Sequence, residues 1–124
     1  MKAALVALMT LASVAAYADG GLAMFSADRS KVYAVALEMV TMDKQTISVE
    51  KADAAAFSLQ YSRWYKSRVF GVKDDVSISL LEEPESKTRV FVTAGTGTPK
   101  KILNALGLRL VEAGLIAPSE VPKK

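Results

Sequence analysis

Four short segments in which apolar and polar residues alternate one by one constrain this chain more than any other feature. Ile47 and Val49 alternate with Ser48 and Glu50. Phe57, Leu59 and Tyr61 alternate with Ser58, Gln60 and Ser62. Val76, Ile78 and Leu80 alternate with Ser77 and Ser79, and Val90, Val92 and Ala94 with Arg89, Phe91 and Thr93. A period of two sends successive side chains to opposite faces, so each segment reads as a strand with one apolar face. Short polar links, residues 51–53 and 82–87 among them, suit antiparallel neighbours, because parallel pairing needs long crossovers.

The period changes on either side of these strands. Tyr33, Ala36, Leu37 and Val40 recur at helical spacing with Val32 and Met39 beside them, and Ser26 or Asp28 can cap that helix. Ile102, Leu103, Leu106 and Leu110 mark a second helix over residues 99–113, with Gly114 placed as its C-terminal glycine cap. The predicted fold class is α+β: a two-layer α-β-β-β-β-α domain, with a four-stranded antiparallel sheet and both helices on one face. Residues 26–116 form this single domain, residues 19–25 a flexible N-terminus and residues 117–124 a frayed tail.

Residues 1–18 read as an export signal. Lys2 gives the positive start, residues 3–16 an uncharged apolar run, and Ala16-Tyr17-Ala18 the small-x-small pattern of a cleavage site. The run is shorter than the roughly 20 residues of a spanning helix, so no stable membrane span is expected after cleavage. The expected location is periplasmic or secreted. Formal net charge is +3 for the whole chain, with Lys2 in the leader, so nothing points to nucleic acid as a partner.

The chain has no histidine and no cysteine. That removes the usual general base, the commonest transition-metal ligand, the thiol nucleophile and disulfides together. Ser48-Val49-Glu50-Lys51 matches S-x-x-K, but regular strand parity puts Ser48 and Lys51 on opposite faces, and the companion motifs are missing. Carboxylates at Asp74, Asp75, Glu82, Glu83 and Glu85 read as polar turns. A non-enzymatic protein with no cofactor and no metal is the expectation.

Two stretches carry the candidate sites. In "VTAGTGTPKK", residues 92–101, Gly95, Gly97, Thr98, Lys100 and Lys101 lie between a strand and a helix start, whose free N–H groups attract anions. The spacing matches neither the P-loop nor the dinucleotide fingerprint, and a structural joint with Thr98 as cap and Pro99 at the first helical position accounts for the residues. In "YSRWYKSRVF", residues 61–70, Arg63, Lys66 and Arg68 interleave with Trp64 and Tyr65, a pattern suited to gripping anionic headgroups or an acidic protein. Trp64, Leu81 and Phe91 also interrupt the polar face of the sheet. With Arg63 and Arg89 at the rim, they outline a docking surface for an envelope protein, an anionic envelope component or a second copy of the chain.

The helix beginning "DRSKVYAVALEMV", the strands "TISVE" and "TRVFVTAG", the glycine turn and the helix "PKKILNALGLRL" together resemble helix-grip domains of bacterial envelope proteins. The C-terminal domain of the lipoprotein subunit of the outer-membrane β-barrel assembly machinery is one such domain, and small exported proteins of unknown function are others. The resemblance covers about residues 26–114 and implies a non-enzymatic binding or accessory role, without the lipid-bearing cysteine of the lipoprotein. A second expectation is a carrier holding a small apolar ligand between helices and sheet. Export should leave Asp19 as the mature N-terminus. Mass spectrometry of the periplasmic fraction checks this, and an intact chain held in the membrane would contradict it.

Overall fold

Among the described residues, the four alternating segments and one further strand build a five-stranded antiparallel sheet, one strand more than the sequence predicts, with two α-helices. The computed structural model describes residues 20–64, 72–95 and 98–123. The leader at residues 1–18, Asp19, Tyr65, Lys66, Arg68 and Gly97 lie outside the described residues. In chain order the elements are β1 (Gly20–Phe25), α1 (Arg29–Met42), β2 (Thr46–Asp53), β3 (Ser58–Trp64), β4 (Lys73–Glu83), β5 (Lys87–Thr93) and α2 (Thr98–Glu112). Across the sheet the order is β1-β5-β4-β3-β2.

The three central strands follow the predicted parity. Leu59 and Tyr61 of β3, Val76, Ile78 and Leu80 of β4, and Val90 and Val92 of β5 are buried in one cluster. Val32, Ala36 and Val40 of α1 and Leu103, Leu106 and Leu110 of α2 complete that cluster, so both helices cover the same face. Each of the valines, leucines and Ile78 among them stabilises the fold by about 1.5–3 kcal/mol when fully buried.

The extra strand is β1, which occupies residues expected to be flexible. It pairs with β5 from Gly20↔Thr93 to Phe25↔Thr88 without a register shift. Its apolar residues fall on both parities: Phe25 is fully buried, whereas Leu22 and Met24 are exposed. A strand apolar on both faces leaves no alternation to read.

At the opposite edge, β2 departs from its pattern. Its register with β3 shifts between Thr46 and Ser48 and again between Val49 and Lys51, leaving Ile47 and Glu50 without partners. Each extra residue reverses the parity of the residues after it. Ile47 and Val49, expected in the core, are exposed: Ile47 is itself a bulged residue, whereas Val49 keeps the helix-side parity of its partner Tyr61 and lies open at the edge of the sheet. Phe57 also leaves its predicted strand. It takes a left-handed φ of 52° in the β2–β3 turn, half-buried between the Tyr33 ring, 5.7 Å away edge-on, and the Arg29 guanidinium, 3.9 Å above it.

Local chemistry fixes the helix ends. Asp28 caps α1, accepting from the Ser30 N–H at 3.2 Å and from the Ser30 hydroxyl. These bonds hold its carboxyl below the usual range, the hydroxyl contributing most. At the end of α2, Gly114 at φ 75° donates to Val111 O and Leu115 donates to Leu110 O, the paired bonds of a Schellman motif.

The tail, expected to fray, docks instead. Pro118–Glu120 forms a 3₁₀ turn, the Ser26 N–H donates to the Glu120 carboxylate at 2.8 Å, and the Asn104 side chain donates to Pro122 O at 2.8 Å. Gly107 makes this possible: a Cβ there would stand 3.1 Å from Val121 and Pro122.

Thr88 closes the corner between β1 and α1. It is fully buried, and its hydroxyl donates to Ala27 O at 2.7 Å. Thr88→Val keeps the shape but takes away the only donor that this hydroxyl supplies there. Chemical denaturation should show a loss of about 1–3 kcal/mol. An unchanged midpoint would mean that Ala27 O is satisfied elsewhere.

Candidate functional site

The end of β3 carries the first element of a pocket. Arg63 has the parity of Leu59 and Tyr61, so its side chain leaves the sheet on the helix side. It meets the turn after α1, where its Nη2 lies 3.6 Å from the Asp43 carboxylate. That is an ion pair rather than a hydrogen bond. The other Asp43 oxygen accepts from the Gln45 N–H at 2.9 Å, which shapes the turn into β2. Arg63 Nε is buried and has no hydrogen-bond partner.

On α2, Lys101, Ala105 and Arg109 follow one another at spacings of four and so share one side of the helix. That side faces the end of α1 across a pocket of about 390 Å³. Buried side chains form its floor: Met39 and Val40 from α1, Tyr61 from β3 and Ile102 from α2. Arg63, Lys101, Arg109 and Lys44 bring cations to its wall, and among the described residues Asp43 is the one acid that lines it. Burial, the larger influence, raises the Tyr61 phenol well above its usual range, while Arg63 pulls it the other way. The phenol is therefore neutral at ordinary pH. The pocket is apolar below and positive around, and its volume falls in the roughly 300–1,000 Å³ range of small-molecule sites.

The docking surface expected from sequence does not form as one site. Leu81, Arg89 and Phe91 share the outer face, where Phe91 stands opposite Ser79 and Leu22, and Leu81 opposite Arg89. Arg63 belongs to the helix face. Trp64 shares the outer face but pairs with Lys73, eight residues along β4 from Leu81, about 26 Å away at strand rise. Phe91 is only 7% exposed, so it is not an open contact residue. Arg89 Nε lies 3.1 Å from Glu83 but off the N–H direction, an ion pair that leaves this donor without a hydrogen bond.

The glycine loop already holds an anion of its own. The Gly95 N–H donates to both oxygens of Asp74, at 2.9 and 3.1 Å, and a Cβ on Gly95 would stand 3.0 Å from that carboxylate. Thr98 is the first residue of α2 rather than its cap, and it is buried. Lys100 and Lys101 are both exposed, and Lys101 also lines the pocket. Of the residues expected to gather around one anion, Gly95 is thus taken by Asp74 and Lys101 belongs to a different site.

Ser48 and Lys51, expected on opposite faces, pair with Ser62 and Gln60, two outer-face residues, because Glu50 is bulged between them. The Ser48 hydroxyl donates to Glu50 at 2.7 Å, and Ser62 donates to the same oxygen at 3.0 Å. These bonds, Ser48 first, hold the Glu50 carboxyl below its usual range, which makes it a weak base toward either hydroxyl. Among the described residues, no cluster of three acidic side chains forms a metal set, and no helix is long and apolar enough to cross a membrane.

No family model matches the chain, and no curated protein matches it. Sequence reasoning missed the pocket as a site, although two of its signals were present: the Lys101-Ala105-Arg109 spacing and the shared parity of Tyr61 and Arg63.

Proposed function

We propose that this is a non-enzymatic binding protein of the bacterial envelope that holds a small amphiphilic anion between its helices and its sheet. The export-type leader motivates the location. The binding role rests on one observation: Arg63, Lys101 and Arg109 converge from two elements on a pocket whose floor is buried and apolar, with Asp43 as the one acid lining it among the described residues. Like charges gathered at a half-buried site repel one another, and a single anionic head relieves that repulsion while its apolar body covers Met39 and Ile102. This refines the carrier expectation, because a purely apolar ligand would add no counter-charge for Lys101 and Arg109 beyond the one acid that already pairs with Arg63.

Isothermal titration calorimetry with laurate, dodecanol and dodecylamine below their aggregation limits tests the reading. Laurate should bind with a stoichiometry of one and weaken as salt is added, dodecanol should bind more weakly, and dodecylamine should not bind. Arg63→Gln and Arg109→Gln should each weaken laurate by roughly tenfold or more, the worth of a hydrogen bond to a charged group. Equal affinity for laurate and dodecylamine, or no uptake of any of the three, would contradict it.

A further inference from the structure

The two edges of the sheet are built in opposite ways. β2 carries Glu50, Lys51 and Asp53 and two register shifts, the devices that keep an edge strand from pairing with another chain. β1 has none of them. Its six residues, Gly20-Gly21-Leu22-Ala23-Met24-Phe25, include no charge and no proline, and its register with β5 is unbroken. Among the described residues, no strand lies on its other side. With the C-terminal tail docked against α2, Leu22 is still 49% exposed and Met24 42%. Both project from the outer face, in the rows that hold Phe91 and Arg89.

We infer that β1 is a self-pairing edge, through which two copies of this chain join antiparallel about a two-fold axis into one ten-stranded sheet. An axis at Ala23 sets Leu22 of each copy opposite Met24 of the other, so outer-face apolar residues meet outer-face apolar residues. Because β1 is uncharged throughout, no like charges oppose one another across the axis. The glycines at its start carry no side chains to obstruct the approach. The guarded β2 edge then decides the size of the assembly. One bare edge per copy closes at a dimer, whereas two would extend into a filament. This surface is separate from the helix–sheet pocket, so it stands or falls independently of ligand binding.

Sedimentation velocity over a concentration series tests the inference on the purified protein. The parent should populate a monomer–dimer equilibrium. Leu22→Lys, which adds the charge that β1 lacks, should weaken association by at least tenfold, whereas Ile47→Lys on the β2 edge should leave it unchanged. Should Leu22→Lys lower the melting temperature, Met24→Lys on the same face carries the test. A parent that stays monomeric at every concentration overturns the inference, and so does a folded β1 lysine variant that dimerises like the parent or an Ile47→Lys variant that loses the dimer.

Discussion

The path of α1 governs the rest of the structure. β1 lies at one edge of the sheet and β2 at the other, so the single helix between them must cross its full width. Fourteen helical residues reach about 21 Å, and four strand spacings come to about 19 Å, so the helix is just long enough. After that crossing, β2 to β5 return as a plain meander, and α2 settles over β5 and β1. The end of α1 and the start of α2 therefore stand apart at the β3 end of the sheet. The pocket occupies the space between them.

The same constraint separates the two faces chemically. The helix face takes the apolar residues of β3, β4 and β5, and where the helices diverge it admits Arg63, whose guanidinium reaches Asp43 but whose Nε stays unbonded. A partly exposed pair at 3.6 Å stabilises little, at most about 1 kcal/mol, so Arg63 is not explained by its ion pair alone. The outer face is polar along β3 and β4 and turns apolar toward β1, where Phe91, Leu22 and Met24 lie in adjacent rows. The proposed ligand pocket and the proposed self-pairing edge thus lie toward opposite sides of the sheet.

Much of this was legible in the sequence, and the exceptions have physical causes. Leu59, Val76, Ile78, Val90 and Val92 alternate with polar partners, so their strands and their burial followed from period two. β1 escaped because Leu22, Ala23, Met24 and Phe25 are apolar on both parities and follow two glycines. β2 misled because a bulge takes Ile47 out of the alternation and the sheet edge leaves Val49 open, neither with a mark in the sequence, while the bulge at Glu50 brings Ser48 and Lys51 to one face. The glycine loop looked like an anion site because its sequence shows free N–H groups but not Asp74, which reaches Gly95 from another strand. The tail read as frayed because the groove that receives it depends on Gly107, a small residue inside an apolar helix.

The central claim is that the positive, apolar-floored pocket between α1, α2 and β3 is where this protein meets its ligand. The most direct measurement is the map of backbone amide shifts by nuclear magnetic resonance as laurate is titrated in. The account predicts that the shifts gather at Met39 to Lys44, at Tyr61 to Arg63 and along Lys101 to Arg109, with Leu22, Met24 and Phe91 undisturbed. Shifts centred on the outer face, or none at the pocket while laurate binds, would contradict it.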